Sequence, residues 1–295
     1  MPSTQTLPTT TRMGGVALDV ADLDGMSAFY REALLLDHVA DRGDQVDLGR
    51  DGETLVTLRH RPDLPRGERR TAGLFHTAIL HETPAALATT LAAFAVSPYV
   101  HLFTGPGDHL VSQAFYLDDP EGNGVEIYYD RPRDQWTWVD GRVQMATLGI
   151  DPNQFLGEHL TPEARDLVET APDRRGSLPD DTVVGHVHLK VGNTGQAKDF
   201  YVDTLGFDIT AELPGALFVS AGGYHHHMAM NTWASEGVGL RTPGLGLGRV
   251  DIVLPGADDV TALGDRARTR GVAIRETGTA IELDDPWGNL VRVSA

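Results

Sequence analysis

The chain has 295 residues, 41% of them hydrophobic, enough for two compact domains with cores of their own. Against 24 basic residues stand 42 acidic ones, a formal net charge of -18, which excludes the Lys/Arg neutralisation of phosphate that holds nucleic acids and anionic membranes. There is no cysteine, so disulfides, thiolate metal sites and cysteine nucleophiles are excluded together, and any metal must rest on histidine and carboxylate.

Residues 1–12, MPSTQTLPTTTR, are rich in Thr and Pro and lack an apolar stretch of signal-peptide length, which predicts a disordered tail on a cytoplasmic protein. Nowhere do about 18 apolar residues run together to span a membrane. From Val16, VALDVADLDGMSAFYREALLLD alternates like a half-buried strand and then shifts to helical spacing, with Phe29-Tyr30 on the helix and Leu34 near its end. GLFHTAIL from Gly73 reads as the next strand and PAALATTLAAF as an amphipathic helix. At LDDPEGNGVEI, from Leu117, a turn rich in Asp, Pro and Gly delivers a final strand.

Residues 135–181 carry Trp136, Trp138, several prolines and a predicted helix over Pro162 to Glu169, and read as an ordered connector packed on both halves of the chain. Beyond it, VHLKVGNTGQAKDFYVDTLGFD from Val187 repeats the segment from Val16, matching Phe29-Tyr30 with Phe200-Tyr201 and Leu34 with Leu205. In FVSAGGYHHHMAMN, Phe218 to Asn231, three consecutive histidines on a strand must alternate faces, so His226 is expected to point opposite to His225 and His227. GLGRVDIV from Gly246 weakly repeats the segment from Gly73, ADDVTALGDRARTRG reads as a helix, and LDDPWGNLVRV from Leu283 repeats LDDPEGNGVEI.

These repeats give four strand-helix-strands modules, at 13–62, 71–130, 182–232 and 245–295, grouped as an N-terminal half over 13–134 and a C-terminal half over 182–295. With these turns and Phe-Tyr helices the chain resembles the vicinal oxygen chelate superfamily, which includes glyoxalase I, bleomycin-resistance proteins and extradiol dioxygenases. The resemblance spans the four modules and omits the tail and connector. It implies an α+β fold of four βαβββ modules in two curved-sheet barrels, with metal ligands drawn from the first and last strand of a module. The first-strand slots hold Gly15, His76, His186 and Arg249; the last-strand slots of modules two and four hold Glu126 and Arg292. His76, Glu126 and His186 make the 2-His-1-carboxylate set that suits non-haem Fe(II), with Mn(II) also accepted, and leaves positions open for substrate and O2. Pairing modules one with two and three with four would give neither barrel a full triad. Module two is therefore expected to pair with module three around the metal, and modules one and four to form a metal-free companion.

Within GDHLVSQAFYLDDPEGNGVE, residues 107–126, the positions His109, Phe115-Tyr116, Asp119-Pro120, Gly122 and Glu126 follow in order the signature of extradiol ring-cleaving dioxygenases. By resemblance His109 and Tyr116 would hydrogen-bond the two oxygens of a catechol, and His226 would be the acid-base histidine beside bound oxygen. The activity so implied is that of a catechol 2,3-dioxygenase-like enzyme of aromatic hydrocarbon catabolism, with a small aromatic diol as substrate, no nucleic-acid or membrane partner, and assembly as a homo-oligomer. Two alternatives stand beside it. One is a hydroquinone dioxygenase or a glyoxalase-type lyase or isomerase, with a fourth ligand drawn from His225 to His227. The other is a non-catalytic ligand-binding module of the resistance type. His188 shares a strand face with His186 and is placed either to line the same pocket or to pack. Glu126 stands alone on an otherwise apolar-aromatic strand, where a metal or an arginine would offset the cost of burying it.

Overall fold

The structure, a computed structural model, describes residues 6–68, 70–170 and 181–295. Module one comprises β1 (Arg12–Val20), α1 (Leu23–Glu32), β2 (Asp37–Asp41), β3 (Gln45–Arg50) and β4 (Glu53–His60). Module two follows with β5 (Gly73–His81), α2 (Pro84–Val96), β6 (Phe103–Asp108), β7 (Ser112–Asp118) and β8 (Gly124–Asp130). The connector carries a short hairpin, β9 (Trp138–Val139) and β10 (Arg142–Val143), then α3 (Pro152–His159) and α4 (Pro162–Thr170). Module three holds β11 (Val183–Lys190), α5 (Thr194–Ala197), β12 (Asp208–Leu213), β13 (Ala216–Ser220) and β14 (Met228–Asn231). Module four holds β15 (Gly246–Val253), α6 (Ala257–Thr269), β16 (Arg275–Thr277), β17 (Ala280–Asp284) and β18 (Leu290–Ser294).

Local chemistry sets the element ends. Asp22 caps α1 by accepting from the Gly25 amide, and Thr83 does the same for α2 at Ala86, with Pro84 in the first turn, where its missing N–H costs nothing. The second Phe-Tyr segment departs from the expected plain helix: α5 is a single turn capped by Asn193, and Lys198–Val202 continues it as a π-helix that still buries Phe200 and Tyr201.

Two eight-stranded curved sheets result, ordered β16-β17-β18-β15-β1-β4-β3-β2 and β12-β13-β14-β11-β5-β8-β7-β6. Module two thus pairs with module three and module one with module four, through antiparallel contacts of β5 with β11 and β1 with β15. Within each module the first and last strands run parallel, as β5 with β8 and β11 with β14. The two sheets are tied together inside each half of the sequence. The Tyr30 hydroxyl donates to Asp119 at 3.2 Å and the Tyr201 hydroxyl to Asp285 at 3.0 Å, so each Phe-Tyr helix of one sheet is pinned to the Asp-Pro turn of the other.

The tail expected to be disordered over residues 1–12 is corrected in part. Residues 1–5 lie outside the described residues, but Leu7 and Thr11 are buried, the Leu7 amide donates to the Gly206 carbonyl at 2.8 Å, and Arg12 opens β1. Leu7 joins the main core, and burying an apolar side chain of that size offsets the entropy of ordering so short a segment. The connector's residues 171–180 also lie outside the described residues. The predicted helix over Pro162 to Glu169 is α4. Phe155 of α3 packs edge-on to Phe115 at 5.0 Å between ring centres, while Trp136 stacks near Tyr224 at 5.9 Å, so the connector touches both halves.

Candidate metal centre and active site

Strand register brings the three proposed ligands together. On β5, Ala78 is paired on one side with Glu126 of β8 and on the other with His186 of β11. His76, two residues back on β5, shares the face of Ala78. The small Ala78 side chain forms the floor, and three longer side chains lean over it. His76 Nε2 lies 3.0 Å and His186 Nε2 3.2 Å from the same Glu126 oxygen, Oε2, and the three ligand atoms all fall within 4.8 Å of one another. All three residues are buried.

Electrostatics favours the deprotonated forms of Glu126 and His186, the forms a cation requires. Burial alone would raise the Glu126 carboxyl, but the adjacent His186 and His76 imidazoles overcome that and hold it well below the usual carboxylate range. Burial lowers His186 to about 4, against the opposing pull of Glu126. A carboxylate anion beside a neutral imidazole is the deprotonated form that binds metal without releasing a proton. His76 Nε2 is buried yet makes no hydrogen bond of acceptable geometry despite its closeness to Glu126. An orphaned ring nitrogen aimed at a shared carboxylate is what a divalent ion would satisfy, so the residues fit the metal implied for this fold.

A fourth ligand was expected, on one alternative, from His225 to His227. Register corrects this. The position on β14 equivalent to Glu126 on β8 is the one paired two residues beyond His186, and there His188 faces Ala229, which has no ligating atom. Nor do the three histidines lie on a strand: β14 begins at Met228. They are set by the preceding loop, in which Gly222 and Gly223 both take left-handed backbone, with φ of 64° and 65°. A Cβ at Gly222 would sit 2.2 Å from the Thr9 carbonyl oxygen, so the N-terminal segment presses directly on the loop that carries them. All three histidines are buried. His226 is the one that lines the cavity; His227 contacts Ser220 at 3.0 Å, and His225 reaches Asp130 at 2.8 Å.

The cavity, about 640 Å³, is lined by His76, Glu126, His186, His109, Tyr116 and His226, so all six residues singled out from the sequence meet in one space. His109 stands in the turn between β6 and β7. Its Nδ1 donates to the Ala146 carbonyl at 2.8 Å, which leaves Nε2 unprotonated to accept the Tyr116 hydroxyl at 2.7 Å. Burial, reinforced by the Glu126 carboxylate, pushes Tyr116 well above its ordinary value and keeps it a phenol. His226 lies with its ring 4.1 Å from that of His186, and burial, with the surrounding imidazoles, holds it well below its ordinary value.

Several contributors escaped the sequence reading. The connector supplies Met145, Ala146 and Thr147 to the cavity wall. Behind His186, the Tyr128 hydroxyl contacts Nδ1 at 3.1 Å and the Tyr224 hydroxyl at 2.7 Å. That approach depends on Gly185, where a Cβ would lie 1.9 Å from the Tyr128 oxygen. His188, left open between pocket and packing, lines the cavity with its Nε2 3.0 Å from Asn231 Nδ2. In the companion sheet, Arg249 forks onto Asp251 at 2.6 Å, a cation sitting where modules two and three carry histidine.

Residues 183–293 match the family model of the glyoxalase/bleomycin resistance protein/dioxygenase superfamily. The chain is 37% identical over 284 residues to the catechol-2,3-dioxygenase of Bacillus subtilis (strain 168), covering 94% of each chain. A solved protein from Bacillus subtilis subsp. subtilis str. 168 superposes with a TM-score of 0.63 at 12% identity, over 98% of this chain and 86% of that one. Glyoxalase I from Zea mays superposes at 0.58 with 16% identity, over 96% and 92%. These two structures show a shared fold and no more. The full-length match to the Bacillus relative shows more: the chain belongs to the glyoxalase/bleomycin resistance protein/dioxygenase superfamily.

Proposed function

We propose that the protein is an extradiol dioxygenase that opens the ring of a catechol-type diol with O2 at an Fe(II) ion held by His76, Glu126 and His186, with Mn(II) as the other metal this ligand set accepts. The observation that carries the reading is the three-ligand cluster whose fourth position is Ala229: a site with open positions suits joint binding of diol and oxygen better than the four protein ligands of glyoxalase-type centres. The full-length resemblance to a catechol-2,3-dioxygenase supports it.

When bound, the metal supplies the redox chemistry that lets a singlet diol react with triplet oxygen. The chain's own groups do the rest. Tyr116 and His109 form a hydrogen-bonded pair on the β6–β7 side of the cavity, where they orient a substrate oxygen and hold its proton. His226 approaches from the opposite module beside His186, and its Nε2 is the group that accepts a proton from the second hydroxyl and returns it during ring opening. The buried strand environment excludes bulk water and fixes the diol against both, so orientation supplies much of the rate. The product is a ring-opened semialdehyde.

Metal analysis together with oxygen uptake on catechol tests this. The expected outcome is bound iron, O2 consumption and a yellow ring-fission product. Turnover of substrate without O2 uptake would assign the site to lyase or isomerase chemistry instead. Glu126→Ala is expected to lose metal by more than the roughly 10–100-fold that groups behind a ligand contribute, abolishing product; retention of metal and activity would sink the ligand assignment.

A further inference from the structure

Beyond the metal, the cavity has a second region that the diol chemistry does not use. Phe75, Leu213 and Trp233 are large apolar side chains left 37%, 48% and 57% exposed, and all three line the mouth of this one cavity. Phe75, His188 and Trp233 are in mutual ring contact, at 4.9 Å for Phe75 with His188, 5.6 Å for Phe75 with Trp233 and 5.7 Å for His188 with Trp233. They form a continuous aromatic wall starting at the metal ligands, since His188 also lies 4.9 Å from His76. The wall is fixed: the Trp233 amide donates to Asn231 at 3.2 Å and its indole N–H to the Pro214 carbonyl at 3.4 Å.

The charge of this region is equally informative. Among the described residues lining the cavity there is no lysine and no arginine; Lys190, two residues along the strand from His188, is outside the lining. The carboxyl groups that do line it are those of Glu126 and Asp118, and the chain as a whole carries -18. A substituent bearing a carboxylate would be desolvated here without a partner and beside a like charge. An unsubstituted catechol is much smaller than the drug-sized ligands that cavities of this volume bury, and would leave the aromatic wall uncovered.

Resting on the dioxygenase reading, we infer that the substrate is a catechol whose ring carries an uncharged apolar substituent, seated against Phe75 and Trp233, and that carboxyl-substituted catechols are rejected. Three diols separate the possibilities: catechol, a butyl-substituted catechol and a carboxyl-substituted catechol, first titrated anaerobically by calorimetry into the iron-loaded protein and then turned over on admission of O2. The butyl compound is expected to bind at least about tenfold tighter than catechol and the carboxyl compound at least about tenfold weaker, with kcat/KM in the same order. In Trp233→Ala the affinity for the butyl compound should fall about tenfold further than that for catechol. Equal affinity for the butyl and carboxyl compounds, or a butyl advantage that survives Trp233→Ala, overturns the inference. So does a Trp233→Ala variant that changes oligomeric state while keeping the ligand preference, since the exposed aromatics would then serve a second copy of the chain. Absence of O2 uptake with all three diols defeats the dioxygenase reading alone, and the anaerobic binding order still decides this one.

Discussion

His226 is held by its neighbours in a way that fixes which nitrogen is available. Asp130 accepts from His225 Nε2 at 2.8 Å, which leaves Nδ1 of a neutral His225 ring to accept the Nδ1–H of His226, also at 2.8 Å. His226 is left with its Nε2 lone pair for substrate. Asp130 ends β8, four residues after Glu126 on the same strand, so the strand that carries the proposed ligand also orients His226, the proposed acid-base group, through His225. Replacing His225 by Phe keeps a ring against Tyr224 and Trp136, which lie 4.1 Å and 5.3 Å away, but removes the acceptor that sets the tautomer. In His225→Phe, kcat is expected to fall about 10–100-fold, the usual worth of such orienting groups, with KM for the diol and iron content close to those of the parent. Steady-state kinetics with metal analysis checks this; a parallel loss of iron would mean that His225 supports the ligands instead.

At the level of elements, the two Tyr–Asp contacts explain why the Phe-Tyr and Leu-Asp-Asp-Pro segments are the most legible repeats in the chain: both copies make the same bond between sheets. Tyr30→Phe and Tyr201→Phe should each cost about 1 kcal/mol and add nearly independently, being in separate contacts; urea denaturation measures this. The first contact also carries a pH dependence. Burial raises Asp119 to about 6, with donors from Asn123, Glu121 and Tyr30 offsetting only part of the effect. Because the folded value lies above the ordinary 3.8 of an aspartate, the native state binds the extra proton. Its contribution to stability is full below about pH 4 and is lost as pH rises through about 6, by up to roughly 3 kcal/mol at about 1.4 kcal/mol per unit. Denaturation midpoints followed from pH 4 to 7 should show that fall, and Asp119→Asn should flatten it. Segments without a repeat partner were less legible. The connector's place in the cavity rests on a backbone carbonyl, Ala146, meeting His109, which no side-chain pattern announces. The three histidines were misread as a strand because the left-handed turn at Gly222-Gly223 delays β14 until Met228. The proposed metal ligands were legible because the aligned modules put His76 and His186 in the same first-strand slot and Glu126 in a last-strand slot.

For the whole molecule, the decisive feature is that neither sequence half owns a sheet. Each eight-stranded sheet takes four strands from the N-terminal half and four from the C-terminal half, joined at the β5–β11 and β1–β15 seams. An isolated half would expose two strand edges that are central in the intact fold, along with the apolar residues packed across them, and exposed central edges invite aggregation. The proposed metal site is divided in the same way, with His76 and Glu126 on one half and His186 on the other. On that proposal metal binding and assembly of the two halves are linked, since an ion that binds only the joined form stabilises the joining. If the chain is cut between α4 and β11 and the fragments are produced separately, neither is expected to retain iron or a folded sheet signature by circular dichroism. Mixing them with Fe(II) should restore both together, and the yield of complex should rise with metal concentration. A C-terminal fragment that folds and holds iron by itself would contradict the shared-sheet architecture and the ligand assignment at once, whereas reassembly indifferent to metal would leave the architecture standing and remove the ion from its role across the seam.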